Sequence, residues 1–285
     1  DESETDEIIE LLLTPEFFNR GGFSSFSLTS NFAAGGGGNM VVDAGTQVDL
    51  VAQNLQLDSG YAQRNSGAGI ASFSSMATLP QWQRQAVDLT LALRSNTLIN
   101  REELRSLTVG EGALLRTESG GAISLFSNQN MVVDGTIQAN GGNINLVLDK
   151  ENIKKDQKDI GYAANQGIWL GEHGRLIATA AYVAKPHELG LRQGTTYNAG
   201  AINIDAMQGY VITQAGSLID VSGGSVVLDL PGTAADGTTQ TVPATVALDA
   251  GTISLSAAEG MLLNGDMQAH AVAGGAGGTL EIVNN

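Results

Sequence analysis

The groups that could do chemistry in this chain are few and scattered. Its three histidines, His173, His187 and His270, lie far apart or lack a partner pattern. His173 sits in Gly171-Glu-His-Gly174, which reads as a solvated corner. No HExxH pair and no metal-ligand spacing is read in the sequence. Cysteine is absent, which removes disulfides, zinc–thiolate sites and thiol catalysis together. GGAGG at Gly274–Gly278 superficially resembles a phosphate-binding loop. It lacks the Lys-Ser/Thr that would hold phosphate and Mg²⁺, and a strand-like run follows it, so it reads as a Gly-rich corner.

Carboxylates are plentiful, at 30 Asp plus Glu, so paired-acid chemistry has to be weighed. Glycoside hydrolysis needs two carboxyl groups about 5–9.5 Å apart. Asp205 and Asp229 each stand five positions after the glycine that opens a repeated unit described below. Asp149 stands seven after its glycine, and Ser256 takes the fifth position of a later unit, so at most one acid pair is in register. A lyase would also want a base beside the acids, yet Lys plus Arg total only 14. Lys154, Lys155 and Lys158 cluster in a polar insertion that reads as a solvated loop. The calcium-binding nonapeptide GGxGxDxUx does not occur. The expectation is no enzyme activity, no catalytic, cofactor-binding or metal-ligating residue, and no cofactor.

The elements that would position any such group are internally repetitive. NMVVD occurs at both Asn39–Asp43 and Asn130–Asp134. A unit of Gly, a small or polar residue, an aliphatic, any residue and an aliphatic opens at Gly121, Gly142, Gly200, Gly224, Gly251 and Gly278. Four of the five intervals between these glycines are alike, and the long one, from Gly142 to Gly200, holds two polar insertions. A second unit comprises Leu107-Thr-Val, Met131-Val-Val, Ile168-Trp-Leu, Tyr210-Val-Ile and Met261-Leu-Leu. Shorter aliphatic runs follow at Gly135-Thr-Ile-Gln-Ala, Gly174-Arg-Leu-Ile-Ala and Gly216-Ser-Leu-Ile-Asp-Val. Apolar positions alternate within these segments, as in Ile144, Leu146 and Leu148, which is the period of a half-buried strand.

A period this short, with three short strands in it, does not fit a propeller blade of roughly 40 residues. The Leu and Asn ladder of a leucine-rich repeat is missing as well. The predicted class is all-β: a right-handed parallel β-helix with loop or hairpin insertions and a short N-terminal helix. Glycines are expected at corners that need positive φ. Val133, Ile137, Ala139, Ile144, Leu146, Ile202, Ile204, Val226, Leu228, Ile253 and Leu255 are expected to point inward. Glycine at 37 of 285 residues and aromatics at 5% suit a narrow interior. About eight rounds, each adding about 4.8 Å, would make a rod of roughly 40 Å.

Residues 1–20 form an acidic N-terminal segment. DESETDE is followed by Ile8, Ile9 and Leu11–Leu13, which fits a short amphipathic helix or a first strand that ends before Thr14-Pro15. Residues 21–285 would be the β-helix, with extra-coil insertions at about 59–106, 150–165, 182–198 and 231–247. Inside the first of these, AVDLTLAL at 86–93 alternates as a strand that rejoins the β-helix or pairs beside it. The net charge of −16 argues against nucleic acid and anionic membrane surfaces as partners. No apolar run approaches the length of a membrane-spanning helix, so no membrane insertion is expected. No signal peptide is visible, and both ends look like cuts through a longer polypeptide.

LLLTPEFFNRGGFSSFSL at Leu11–Leu28, GTIQANGGNINL, GSLIDVSGGS and ISLSAAEGMLLNG at Ile253–Gly265 resemble large bacterial exoproteins of the filamentous haemagglutinin type. The resemblance spans about residues 20–280. It implies an adhesin exported by two-partner secretion, secreted to the outer surface of a Gram-negative bacterium. It also implies a long right-handed β-helical fibre that attaches to cells, other bacteria or matrix. Expected partners are surface or matrix glycans or proteins, and the remainder of the same exoprotein. The family's secretion domain carries an NPNG-type motif that this chain lacks, so an internal shaft or distal segment is implied. No family functional residue carries over to a numbered position. Two alternatives stay open: a polysaccharide lyase or hydrolase on a β-helix, and the stalk of a contact-dependent toxin-delivery exoprotein.

Overall fold

The computed structural model describes residues 11–32, 38–63, 67–95, 104–149, 164–233 and 237–284, with backbone only at 32 and 95. Among these residues there is no α-helix. The chain is all-β and built on parallel sheets.

Three short strands recur in a fixed order, and we call each set a round. The first round is β1 (Ser25–Phe32), β2 (Met40–Val42) and β3 (Gln47–Leu50). A hairpin of β4 (Asn54–Leu57) and β5 (Ser74–Ala77) follows. The second round is β6 (Asp88–Ser95), β7 (Ser106–Val109) and β8 (Leu114–Thr117). The third is β9 (Ala122–Ser127), β10 (Asn130–Val133) and β11 (Thr136–Gln138). The fourth is β12 (Asn143–Leu148), β13 (Gly167–Leu170) and β14 (Arg175–Ile177), then a hairpin of β15 (Ala181–Lys185) and β16 (Gln193–Tyr197). The fifth is β17 (Ala201–Ala206), β18 (Tyr210–Thr213) and β19 (Leu218–Asp220), then a hairpin of β20 (Gly224–Thr233) and β21 (Thr239–Leu248). The sixth is β22 (Thr252–Ala257), β23 (Gly260–Leu263) and β24 (Asp266–Gln268), and β25 (Thr279–Asn284) opens a seventh.

Each strand pairs with its equivalent in the neighbouring rounds. The first sheet runs β1-β6-β9-β12-β17-β22-β25, the second β2-β7-β10-β13-β18-β23, and the third β3-β8-β11-β14-β19-β24. The pairings within all three are parallel. The register never slips in the first sheet. Ile144 lies between Ile123 and Ile202, and Ile202 pairs in turn with Ile253.

Constant register turns period-2 alternation into ladders. Leu89, Ile123, Ile144, Ile202 and Ile253 form one, each 0–2% exposed. Leu107, Met131, Ile168 and Val211 do the same for the second sheet, and Leu115, Ile137, Leu176 and Ile219 for the third. These side chains belong to one contiguous core. Full burial of each aliphatic contributes about 1.5–3 kcal/mol, and no round can cover its own inner face. At the N-terminal side the core ends in aromatics. A 3₁₀ helix, Pro15–Asn19, seats Phe18 5.2 Å from Phe26 and edge-on to it.

The glycines that precede β12, β17 and β22 are required by a close approach. A Cβ on Gly142 would overlap the Gly121 carbonyl oxygen, and one on Gly200 or Gly251 would overlap the carbonyl below in the same way. None of these three has positive φ, so the expected reason for glycine at these positions is corrected. Positive φ occurs one residue earlier, at Gly120 and Gly141, or at tight turns such as Gly112.

The structure departs from other expectations. The unit at Gly224–Leu228 is not a wall strand: it is the root of the β20–β21 hairpin, and Val226 there is half-buried. Leu228 is buried but outside the main core. The unit at Tyr210 is one residue out of register, because Val211 opposes Ile168. Within 59–106, AVDLTLAL is a strand as expected, and as β6 it lies inside the first sheet between β1 and β9. The interval therefore holds the second strand of a hairpin and also a wall strand, and is not wholly outside the coil. With the 224 unit removed and hairpins interposed, the described residues make six full rounds and the start of a seventh. Six steps of about 4.8 Å span roughly 29 Å instead of roughly 40 Å. Residues 1–10 of the expected N-terminal helix or strand and most of the 150–165 insertion lie outside the described residues, and Leu11–Leu13 are neither helix nor strand.

Candidate functional site

Each round has three corners, and they differ in what they tolerate. The corner from third sheet to first carries all three described hairpins, β4–β5, β15–β16 and β20–β21. These elements reach along the molecule towards one another. Arg84, after the short Gln81–Gln83 helix, forms a largely buried ion pair with Glu118. Lys185 of β15 lies 5.6 Å from the Trp82 ring centroid. The Tyr197 ring packs on Gly120. Arg192 Nη2 meets Asp229 Oδ1 at 2.7 Å, joining the second hairpin to the third. The Arg192 side-chain hydrogen bond holds the Asp229 carboxyl below its usual range.

The corner from second sheet to third is tight in every round, a single turn between strands. Polar side chains stack there. Glu111 follows β7, Asp134 follows β10 and His173 follows β13. His173 Nδ1 lies 3.6 Å from Asp134 Oδ1 and 3.9 Å from Glu111 Oε1. Asp134 Oδ1 also accepts the His173 backbone N–H at 2.9 Å. A Cβ on Gly171 would overlap the Asp134 carboxylate, so glycine at 171 makes room for it. One ligand atom from each of the three residues falls within 4.8 Å of the others. Glu111 and His173 are exposed, and Asp134 is half-buried.

The residues singled out from sequence are otherwise dispersed. Asp205 pairs with Val147 on one side and Ser256 on the other, so it has no acid in register. Asp229 sits in β20 opposite Pro243, in another sheet. Asp149 forms an ion pair with Arg94, whose guanidinium lies 5.7 Å from the Phe126 ring centroid. His187 occupies the β15–β16 turn, and its Nδ1 accepts the Leu189 N–H. His270 is exposed, and its N–H donates to Ser222 Oγ. Gly274–Gly278 is a corner that leads into β25. Lys154, Lys155 and Lys158 lie outside the described residues.

Sequence reading missed the Glu111–Asp134–His173 cluster because its spacings follow the lengths of two whole rounds and match no local motif. The available signal was position: each of the three stands in the short turn just after a second-sheet strand. The same logic accounts for the NMVVD duplication. Asn39 Oδ1 accepts the Ser106 N–H at 3.0 Å, and Asn130 Oδ1 accepts the Gly167 N–H at 3.1 Å. Both copies tie one corner to the next round.

Chemically, the tight corner offers one imidazole nitrogen and two carboxylates, a donor set for a divalent cation. The hairpin corner offers an irregular ridge of hydroxyl, amide and apolar groups. Leu55, Leu57, Tyr61, Ile70 and Met76 are exposed on and around its first hairpin. No protein-family model, no curated protein and no solved structure matches this chain.

Proposed function

We propose that the chain is a right-handed parallel β-helix serving as a non-catalytic shaft segment of a large secreted bacterial surface fibre. The observation that carries this reading is the unbroken register of the first sheet over seven strands, with three hairpins raised on a single corner. Three parallel sheets visited in rotation suit a β-helix, and a crossover between parallel strands of one sheet is right-handed in about 98% of cases. The wall supplies reach, and the hairpin ridge supplies contact with glycan or protein on cells or matrix. Irregular segments on a rigid scaffold are where binding residues concentrate. The likeness of Leu11–Leu28 and the repeated units to filamentous haemagglutinin-type exoproteins supports placing the segment on the outer surface of a Gram-negative bacterium. The net charge of −16 keeps neighbouring shafts apart, with screening beyond about 8–10 Å at physiological salt. Among the described residues, no helix is long and apolar enough to cross a membrane.

The test incubates the purified segment with acidic and neutral polysaccharides, with and without Ca²⁺, and assays both cleavage and retention. The shaft reading expects no new sugar ends. Release of reducing or unsaturated ends above a heat-killed control would overturn it in favour of a lyase or hydrolase.

A further inference from the structure

We propose that Glu111, Asp134 and His173 form a site for a divalent first-row transition ion such as Zn²⁺, which would pin three successive rounds at the tight corner. This inference is independent of the adhesive reading. Donor type selects the ion. An imidazole nitrogen with carboxylates suits Zn²⁺, Cu²⁺ or Ni²⁺, whereas Ca²⁺ takes six to eight oxygens.

The geometry is close to a ligated state. Zinc holds nitrogen and oxygen donors at about 2.0–2.2 Å, which puts tetrahedral ligand atoms roughly 3.4 Å apart. The imidazole nitrogen is 3.6 Å and 3.9 Å from its two carboxylate partners. The third separation, between the two carboxylates, is within 4.8 Å, so side-chain rotation would have to draw Glu111 inward to close the site, with the fourth position left to water. Two donors are placed by backbone features. Asp134 is held by the His173 N–H at 2.9 Å and sits in space that only glycine at 171 leaves free. His173 is carried on the same corner, between Leu170 and Arg175. Glu111 is the most exposed of the three, at 66% against 54% for His173, and would close over the ion from the round below.

Position is the second part of the argument. The donors come from the β7–β8, β10–β11 and β13–β14 corners, which belong to the second, third and fourth rounds. A cation there would link three rounds through side chains at one point, adding to the ladders, the backbone bonds and pairwise ties such as the Asn130 Oδ1 acceptor for the Gly167 N–H. A ligand that binds only the folded state raises stability by mass action.

The experiment uses the full chain, free of any affinity tag, titrated with ZnCl₂ by calorimetry and with CoCl₂ by visible absorption. Thermal unfolding is followed in parallel. Expected results are one Zn²⁺ per chain, a Co²⁺ spectrum of low coordination number, and a rise in Tm of roughly 5–10 °C at 100-fold excess over Kd. His173→Ala, at an exposed side chain, should weaken binding at least 30-fold and remove the Tm rise. Asp134→Asn keeps the acceptor for the His173 N–H but should also weaken binding. His270→Ala and Glu172→Gln should bind as the parent does. Equal affinity in the parent and His173→Ala would overturn the proposal. So would loss in His270→Ala, absence of binding at millimolar Zn²⁺, or a weak affinity lowered alike by every acidic substitution, which would mark a diffuse counter-ion patch.

Discussion

Gly142 and Gly224 open the same kind of five-residue unit, yet the structure assigns them opposite sensitivities. At Gly142 an added Cβ would fall far inside the 3.0 Å that real Cβ atoms keep, against the Gly121 carbonyl oxygen. That oxygen accepts the Asn143 N–H at 3.2 Å. The Gly142 carbonyl in turn accepts the Ala201 N–H at 3.1 Å, so the displaced backbone disturbs the rounds on both sides. Two weakened hydrogen bonds cost about 0.5–1.5 kcal/mol each, and forced repacking of the Ile123–Ile144 ladder adds about 1–3 kcal/mol. Gly142→Ala should therefore destabilise by about 2–6 kcal/mol. At Gly224 the nearest atom to an added Cβ is the Ala180 Cβ at 3.6 Å, an ordinary contact, and φ is not positive. Gly224→Ala should lie within about 0.5 kcal/mol of the parent or stabilise slightly through the unfolded chain. Urea unfolding by far-UV circular dichroism gives the global comparison, and amide exchange over 122–127 and 143–148 gives the local one. A Gly142→Ala chain as stable as the parent would refute the close stacking. A Gly224→Ala chain as damaged as Gly142→Ala would refute placing that unit in a hairpin.

Ile144→Asp would bury a carboxylate between Ile123 and Ile202 at a position with 0% exposure, and should cost several kcal/mol, read as a lower urea midpoint. Because Arg192 depresses the Asp229 pKa below its ordinary 3.8, the tie between the second and third hairpins is fully present above that value. It is lost as pH falls through the lower folded value. The protection of the Arg192 amide, whose N–H donates to Asp229 Oδ2 at 2.7 Å, should fall relative to its intrinsic exchange rate on acidification, and Asp229→Asn should flatten that dependence. Replacing Leu230–Val242 by Asn-Gly should leave the β-rich spectrum and the melting curve unchanged, since β20 and β21 pair only with each other. Loss of folding would make that hairpin integral to the wall.

Much of the wall was readable because alternation and register reinforce each other. Ile123, Ile144, Ile202 and Ile253 each stand two positions after a glycine, and each is in one ladder. Gly224-Ser-Val-Val-Leu228 has the same pattern and a different place, because alternation also suits a hairpin that buries one face. Composition within so short a unit does not encode which partner a strand meets. That depends on where the chain returns, and Asp249 and Ala250 bring it back to the first sheet only at β22. The tight-corner cluster was hidden for a related reason. Glu111, Asp134 and His173 become neighbours only after every intervening strand has been assigned its round.

The face of β25 shows what one more round would cover. Leu280 and Ile282 pair with Ile253 and Leu255, yet they are 53% and 50% exposed where their partners are 2% and 0%. A further round laid on such a strand would bury that surface and present an equivalent one in its place. The penalty of an open end is then incurred once, whatever the length, while each interior round adds its own ladder of contacts. Under the nearest-neighbour energetics of the proposed β-helix, stability grows with the number of rounds, and the end terms stay constant. Length can therefore vary by whole rounds without redesign of the interior.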